Sequence, residues 1–330
     1  MSWKQLGSLA LVVYVAACGE APDMAGPVEA DALDAPEQQA PEESSEEAIR
    51  GPVLRVPGEY PTIQAAVDAA SPGDTVHVAP GVYNEHVRLK SGIRLLGSGA
   101  PFTVLDAQGA SRALVDFSYA SDVVIEGFTF RNVGSDTPCG LPASLSSWCS
   151  GNWYTAAVYA MGGKEKVFAR IAFNIFEHND TAMLLYFRAR ADVRHNLFQH
   201  NQHGLLFNHF NDTATVEGNV FWKNAFFALG VQAGAIDIRY NLIAGSNAGI
   251  VHMYIQTGDI RCNVFAGNGG PVAETFYVPN RIVMGENGNI DVELPGRSGD
   301  DAPDLRSVFS RGIPGCFSLP ADRPTRLAAP

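Results

Sequence analysis

The chain has 330 residues, of which 46% are hydrophobic and 18% charged, so it can bury a substantial core. Its formal net charge of −12 argues against a nucleic-acid partner. The charge is unevenly distributed, because residues 19–50 contain ten acidic residues and one basic residue. From residue 51 onward, no apolar run reaches the roughly 18 residues that a membrane-spanning helix requires.

Residues 1–17 are predicted to be an export signal, with Lys4 before an apolar stretch over 6–17. The run Val15-Ala16-Ala17-Cys18 resembles a bacterial lipobox, in which the cysteine is acylated and becomes the mature N-terminus. The alternative is an ordinary signal peptide with a chance cysteine. The resemblance implies a lipid-anchored protein that does not span the membrane. In this sorting pattern, an aspartate directly after the cysteine favours retention in the inner membrane. The residue here is Gly19, which implies sorting to the outer membrane.

Residues 18–50 join Cys18 to the rest of the chain. The stretch after the cysteine has four prolines, no aromatic residue and many acids. It cannot bury enough surface to offset its ordering entropy, so we predict a disordered acidic linker that is extended by charge repulsion. An acidic calcium-binding segment is the alternative, although no regular ligand spacing is present.

A repeat of 22 or 23 residues runs through the middle of the chain. A first asparagine series is followed two residues later by an apolar series, and a second asparagine series lies five residues after the first. The first series is Asn174, Asn196, Asn219, Asn241 and Asn263. The apolar series is Phe176, Phe198, Phe221, Ile243 and Phe265. The second asparagine series is Asn179, Asn201, Asn224 and Asn268, with an interruption at Ser246.

This period predicts a solenoid, and the short alternating segments predict coils of parallel β-structure. Equivalent residues of adjacent coils then lie about 4.8 Å apart. We expect the asparagines to adopt left-handed backbone at bends and to bond each other along the axis. The Phe and Ile series should stack in the interior. A leucine-rich repeat has a similar period, but its leucine signature is missing.

The pattern resembles the right-handed parallel β-helix of the pectin-lyase-like superfamily, with its carbohydrate-binding and sugar-hydrolase-type repeats. Residues 60–76 (YPTIQAAVDAASPGDTV) and 78–85 (VAPGVYNE) resemble the opening of those proteins. The resemblance implies an all-β, single-stranded solenoid over 51–295, with a short helix capping its N-terminal end. Ile63, Ala66, Val67 and Ala70 share one face of that helix. Residues 296–330 are predicted to form a C-terminal tail or cap.

An insertion of about 21 residues, 134–154, breaks the repeat and contains Trp148 and Trp153. Such loops on a rigid scaffold often bind ligands, although a flap that only covers strands is equally compatible with the sequence.

Four cysteines remain if Cys18 is lipidated, and export places them where disulfides form. Cys139 with Cys149 and Cys262 with Cys316 are the favoured pairs. Four cysteines allow three pairings, so the connectivity stays open.

One face of the predicted solenoid carries a polar strip of Arg194, Glu217, Arg239 and Arg261. Arginines in register suit a uronate polysaccharide, because the planar guanidinium grips a carboxylate in a fixed orientation. Trp148 and Trp153 would then stack on sugar faces. The alternative is a solvated ladder of cross-strand ion pairs. Each arginine of the strip is preceded, two residues earlier in the same coil, by an aspartate that should also face outward: Asp192, Asp237 and Asp259.

A uronate lyase needs a base and a charge partner for the substrate carboxylate. Lys223 or His200 could be the base, and Arg194 or Arg239 the partner. Histidines at such turns are more often solvated corners.

We assign no metal site. Calcium bound by Asp237 and Asp259 is an alternative, but Arg239 and Arg261 already neutralise these two carboxylates and so disfavour it. Copper is a further alternative, because a periplasmic family with this fold is linked to that metal. No Met-x-His pair supports it.

The characteristic motifs of polygalacturonases, pectate lyases and pectin methylesterases are missing, so the sequence leaves open whether the protein is an enzyme. The leading hypothesis is a monomeric envelope lipoprotein that binds polysaccharide, with uronate-lyase activity as an extension. The alternative is a non-catalytic structural or protein-interaction module, favoured if an apolar face of Leu184, Leu206, Leu229 and Val251 is open.

Overall fold

The computed structural model describes residues 51–134, 155–165, 167–208, 213–232, 234–252, 258–270, 272–274 and 289–291. These residues form one helix, α1 (Ile63–Ala69), and a series of short strands. The strands in chain order are β1 (Val53–Val56), β2 (Thr75–Val78), β3 (Gly81–Tyr83), β4 (Val87–Arg88), β5 (Arg94–Gly97), β6 (Thr103–Asp106), β7 (Val115–Asp116), β8 (Val123–Glu126), β9 (Thr129–Arg131), β10 (Ala156–Met161), β11 (Val167–Ala172), β12 (Ile175–Glu177), β13 (Thr181–Tyr186), β14 (Ala189–Arg194), β15 (Leu197–Gln199), β16 (His203–Asn208), β17 (Thr213–Glu217), β18 (Val220–Trp222), β19 (Phe227–Val231), β20 (Ala235–Arg239), β21 (Leu242–Ala244), β22 (Ala248–His252), β23 (Ile260–Arg261), β24 (Val264–Ala266), β25 (Val272–Glu274) and β26 (Ile290–Asp291).

Each turn of the chain contributes a strand to each of three parallel sheets. The first sheet has the order β1-β2-β5-β8-β11-β14-β17-β20-β23. The second has the order β3-β6-β9-β12-β15-β18-β21-β24-β26, and the third β4-β7-β10-β13-β16-β19-β22-β25. The result is the predicted right-handed parallel β-helix, with about nine turns of roughly 22 residues. Three corners separate the sheets; we call them the first (first to second sheet), second (second to third) and third (third to first) corners.

Helix α1 packs at the N-terminal end of the solenoid, against β1, β2 and β4. Its apolar face, Ile63, Ala66 and Val67, is buried, as the sequence predicts. The Thr62 side chain accepts a hydrogen bond from the Ala65 backbone N–H, which caps the helix. The Glu85 carboxylate accepts two more from the first-turn N–H groups, so the helix start is bound to the first coil.

A column of aromatic rings fills the centre of the solenoid. Phe176, Phe198 and Phe221 are fully buried in consecutive coils. Their ring centroids are 4.7 Å apart at each step and the planes are nearly parallel. The column continues through Ile243, which pairs in register with Phe221, and then Phe265, which pairs with Ile243. The predicted register of the core is therefore confirmed.

Buried asparagines form ladders just inside the corners. At the first corner, the Asn196 amide accepts from the Asn174 backbone N–H and side chain, and the same pattern repeats along the chain to Asn263. The ladder continues one step beyond the predicted repeat, to Asn289, the last of its members among the described residues. The second-corner ladder joins Asn179, Asn201 and Asn224 in the same way. Each asparagine also donates to a main-chain carbonyl of the preceding coil, so these side chains satisfy polar groups that the corners would otherwise bury unpaired.

The left-handed residues of the corners are not the asparagines, which corrects the expectation from sequence. They are the residues immediately before them: φ is 57° at Phe173, 54° at His195 and 55° at Tyr240. At the second corner φ is 55° at His178, 53° at His200 and 50° at Lys223. The asparagine must point inward to bond its neighbours, so the preceding residue takes the bend and projects outward.

The outer face of the third sheet differs from the one proposed from sequence. Leu229 pairs with Leu205 and points into the core, while Gly230 occupies the outer position beside Leu206. The outer residues Leu184, Leu206 and Val251 are buried, so this face is not open. The error has a local cause: the second corner before β19 has one extra residue, so Phe227 lies three residues after Asn224, whereas its register partner His203 lies two residues after Asn201.

We predict that Asn219→Ala will lower the free energy of unfolding by about 3 kcal/mol or more, because several buried partners lose their hydrogen bonds at once. Those partners are the Asn196 amide groups and the Val193 and Glu217 carbonyls. Urea unfolding followed by circular dichroism measures the loss. Asn247→Ala, an exposed asparagine at the place where the second ladder is interrupted, is the matched control. Equal midpoints for the two variants would show that the ladder does not stabilise the fold.

Candidate functional site

The predicted polar strip lies in register on the outer face of the first sheet. Arg194, Glu217, Arg239 and Arg261 occupy successive strands. The arginines are already paired, however. Both Arg194 and Arg239 contact the same Glu217 oxygen, the latter at 3.3 Å, and Arg261 Nε lies 3.1 Å from Asp259. The geometry therefore matches the cross-strand ion-pair ladder, with little unpaired positive charge left for a polyanion.

The alternative calcium pair is also engaged. Asp237 Oδ1 accepts a hydrogen bond from the Asp259 backbone N–H at 3.0 Å, and Asp259 is bound to Arg261. No group of three or more His, Cys, Asp or Glu side chains suited to a metal ion forms among the residues that the structure describes. Calcium at this pair stays an expectation.

The proposed catalytic residues lie on different parts of the coil. His200 and Lys223 project from the second corner, where the His178 and His200 rings stack at 5.6 Å and Lys223 Nζ lies over the Trp222 ring. Arg239 lies on the first sheet, before the first corner. Second-sheet strands of three residues, about 10 Å long, separate the two corners. The structure therefore does not bring the proposed base, at the second corner, together with Arg239, the proposed partner of the substrate carboxylate. The catalytic assignment stays a prediction.

Several other predicted residues lie outside the described part of the chain. They are Cys18, Cys139, Trp148, Cys149, Trp153 and Cys316. Cys262 is described and is buried at the first corner, immediately before Asn263. Its pairing with Cys316 and the Cys139–Cys149 pairing stay predictions.

The structure reveals an exposed aromatic ridge at the third corner, which the sequence analysis missed. We define the ridge as Tyr119, Phe168 and Phe187; they are 58%, 37% and 39% exposed. Tyr119 and Phe187 adopt left-handed backbone, with φ of 62° and 39°, and Arg188 follows at 59°. Bulky side chains in this region cost roughly 1–3 kcal/mol each. More than a third of each of the three side chains stays exposed, which makes the ridge a candidate surface for ligand stacking.

A pair of glycines forms the floor of the ridge. The Tyr119 ring lies over Gly163, close enough that a Cβ there would be 3.1 Å from two ring carbons. A Cβ at Gly162 would collide with the Phe187 carbonyl. Gly162 and Gly163 are in the coil between those of Tyr119 and Phe187. This Gly-Gly pair at the end of a strand is the sequence signal that could have located the ridge.

An acid–base pair, Asp180 and the partly buried His203, lies at the second corner, next to the third sheet. Asp180 is buried; its Oδ2 accepts a hydrogen bond from Thr155 at 3.2 Å, and its Oδ1 has no partner among the described residues. The His203 ring contacts the Asp180 carbonyl oxygen at 3.2 Å and stacks on Phe226. Burial raises the pKa of Asp180, and the His203 charge and the Thr155 hydrogen bond oppose this in part. Burial lowers the pKa of His203 against the opposing effect of Asp180.

Three parallel sheets, with asparagine ladders at two of the three corners between them, define a right-handed parallel β-helix of the pectin-lyase-like class. Within this class, the chain belongs to the family described as periplasmic copper-binding protein (NosD), whose profile matches residues 67–276. The periplasmic description agrees with the predicted export. No helix among the described residues has the length and apolar character needed to cross a membrane.

Comparison with solved structures finds several proteins of low identity to this chain. The A-module of Azotobacter vinelandii mannuronan C-5 epimerase AlgE4 is 15% identical, with a TM-score of 0.42, over 64% of this chain and 68% of that module. A PL6-family alginate lyase, AlyGC, is 16% identical, with a TM-score of 0.38, over 68% of this chain and 40% of the lyase. A Yersinia enterocolitica pectin methylesterase is 13% identical, with a TM-score of 0.39, over 71% and 94%. No curated protein sequence matches the chain.

The described residues do not fit the copper ion that the family description implies. Protein copper sites combine several histidine, cysteine or methionine ligands. The closest approach to such a set is the stacked pair His178 and His200, and no third His, Cys, Asp or Glu completes a group in the described part of the chain. His209 lies outside that part.

We predict that Asp180→Asn will stabilise the protein near neutral pH and that the gain will shrink as the pH falls. A carboxyl with a raised pKa in the folded state is stabilising when protonated, and that stability is lost as the pH rises through the folded-state pKa. The neutral amide has no such loss. Urea midpoints of both proteins between about pH 3.5 and about 7.5 test this, because the effect develops from the ordinary carboxyl pKa of 3.8 up to the raised one. A difference in midpoint that does not change with pH would contradict the assignment of a raised pKa.

Proposed function

We propose that this chain is an exported β-helix protein that binds a polysaccharide along the third corner and the adjoining edge of the first sheet. The observation that carries the proposal is the aromatic ridge of Tyr119, Phe168 and Phe187. Sugars present apolar C–H faces that stack on aromatic rings, and rings that stay exposed on strained backbone are available for such stacking.

The spacing of the ridge suits a polymer that runs along the solenoid axis. Tyr119 and Phe187 are two coils apart, which corresponds to about 9.6 Å at the usual strand spacing. This distance is close to the length of two sugar units, so a single chain can stack on both rings. The glycine floor lets the Tyr119 ring lie close to the backbone of the coil between them.

Cationic side chains adjoin the ridge. Arg190 is the register partner of Phe168 on the next strand, and its guanidinium contacts Thr213. Arg188 donates to the Lys164 carbonyl at 2.9 Å, which leaves its charge without a carboxylate partner in that contact. These groups favour an acidic polysaccharide, because uronate carboxylates can reach guanidinium groups while the sugar rings stack. The ridge replaces the Arg194–Glu217–Arg239 strip as the primary contact, since that strip is internally paired.

We predict that Tyr119→Ala and Phe187→Ala will each weaken the binding of an oligo-uronate by about tenfold, the loss expected for one aromatic stacking contact. Isothermal titration with oligo-uronates and neutral oligosaccharides measures the effect. Arg190→Ala should weaken the uronates alone, because it removes charge and no stacking surface.

Phe102→Ala is the matched control, because Phe102 is equally exposed, at 61%, but is remote from the third corner. It should bind like the wild-type protein. Unchanged affinity in both ridge variants would reject the ridge as the site. No binding of any oligosaccharide would reject the function and favour a structural module of the envelope.

We also propose that Cys18 carries the lipid anchor and that the acidic stretch 19–50 holds the β-helix away from the outer membrane. The support is the lipobox-like run before Cys18 and the lack of aromatic residues in the linker.

Cys18→Ala should therefore move the protein from the membrane fraction to the soluble periplasmic fraction of a cell lysate. Cys139→Ala should stay with the membrane, because its cysteine lies outside the lipobox-like run. A Cys18→Ala protein that remains in the membrane fraction after a salt wash would exclude lipid anchoring.

A further inference from the structure

A methionine lies beside the aromatic ridge, at the end of strand β10. Met161 is the last residue of β10, and it is partly exposed while the residues before it in the strand are buried. Ala160 faces the core and Tyr159 belongs to the outer apolar cluster of the third sheet, so alternation along the strand turns Met161 outward. Met161 packs against that cluster and extends from it to the ridge.

Two hydrogen bonds join Met161 to Tyr119, which at 58% is the most exposed member of the ridge. The Tyr119 hydroxyl donates to Met161 Sδ at 3.8 Å, and the Tyr119 backbone N–H donates to the Met161 carbonyl oxygen at 2.9 Å. The Tyr119 ring also lies over Gly163, in the same coil as Met161. The sulfur therefore holds the ring at its hydroxyl end, while the backbone at Gly163 supports its edge.

The same sulfur is open to oxidation. A thioether is a weak hydrogen-bond acceptor, and oxidants convert it to the sulfoxide. An oxidant dissolved in water must reach the sulfur, and Met183, on the next strand of the same sheet, faces the core and is fully buried. Among the methionines that the structure describes, Met161 is therefore the one that an aqueous oxidant reaches.

We propose that Met161 is an oxidation site through which a peroxide weakens ligand binding at the aromatic ridge. The proposal rests on the polysaccharide site proposed above. In the reaction with hydrogen peroxide an S–O bond forms at Met161 and the O–O bond breaks. The sulfur loses two electrons, and the second oxygen leaves with both hydrogens as water. An exported protein meets such oxidants outside the reducing cytoplasm.

The sulfoxide changes the position of Tyr119 because its oxygen is a polar, stronger acceptor than the thioether. The new oxygen is bonded to the sulfur and needs about 2.5–3.0 Å of its own to the tyrosine oxygen. The hydroxyl, which contacts the sulfur directly in the reduced protein, therefore moves away from it and turns the ring off Gly163. Phe168 and Phe187 have no hydroxyl group, so within the ridge this change acts on Tyr119. A ligand that stacks on both Tyr119 and Phe187 then loses one of its two contacts.

The site of oxidation is tested on the folded full-length chain without any ligand. The protein is treated with hydrogen peroxide and digested, and the sulfoxide at each methionine is measured by mass spectrometry. We expect Met161 to be oxidised at least about tenfold faster than Met183, because only the former is partly exposed. Equal rates at the two positions would overturn the proposal.

The coupling to the ridge is also measured without ligand. Fluorotyrosine in place of Tyr119 reports on the surroundings of the ring by fluorine NMR. Peroxide should shift its resonance in a chain that has Met161 and leave it unchanged in a Met161→Leu variant, whose side chain is similar in volume and forms no sulfoxide. A resonance that does not respond to oxidation of Met161 would reject the proposal, whether or not the protein binds a polysaccharide.

The effect on binding is measured by isothermal titration of an oligo-uronate into each protein before and after peroxide treatment. Oxidised wild-type protein should bind about tenfold more weakly than untreated protein, the same loss as for Tyr119→Ala. A methionine sulfoxide reductase should restore the affinity. Treatment should not change the affinity of Met161→Leu, which retains the methionines outside the described residues, such as Met24 and Met284.

Two outcomes of the titration separate this proposal from the proposed function. Equal affinity of treated and untreated wild-type protein would overturn the effect of Met161 on binding and leave the polysaccharide site standing. Untreated protein that binds no oligosaccharide would reject the proposed function and the effect on binding with it. The fluorine measurement still decides in that case whether oxidation of Met161 moves Tyr119.

Discussion

The buried asparagine ladders are the interaction on which the rest of this structure depends. In each rung, the amide oxygen of one asparagine accepts hydrogen bonds from the backbone N–H and the side chain of the asparagine in the preceding coil. Its own amide NH2 donates to a main-chain carbonyl of that preceding coil. Because both donors and the acceptor are used, an asparagine in this position fixes the distance and the register between coils. The Phe column can then stack at 4.7 Å without strain in the strands around it.

The ladders also decide what the corners display. Since the asparagine points inward, the residue before it takes the left-handed conformation and projects to solvent. His178, His200 and Lys223 are such residues, and their repetition along the axis is a consequence of the corner geometry. Their regular spacing therefore carries no evidence of catalysis. The third corner has no ladder in the described residues, and it is there that Tyr119 and Phe187 take bulky side chains into the same backbone region.

The three outer faces have different physical roles. The first sheet is covered by partly exposed ion pairs such as Arg239–Glu217, each of which contributes little to stability. The outer faces of the third sheet and of the later part of the second are apolar and buried, which directs a ligand away from them. The third corner, between the third and first sheets, is left with exposed aromatic rings and nearby arginines. Its position follows from the arrangement of the faces around it.

The sequence by itself determined the solenoid, its register and its capping helix, because a strict repeat forces equivalent residues such as Phe198 and Phe221 to stack. It also placed Arg194, Glu217 and Arg239 in one row. Only the tertiary structure decided that these charges neutralise one another, that Leu229 points inward and that Trp222 is covered. Tyr119 and Phe187 lie outside the repeat pattern, and Asp180 and His203 are 23 residues apart. Their burial and contacts depend on how neighbouring coils pack. The periodicity of the sequence carries no information about that packing at positions outside the repeat.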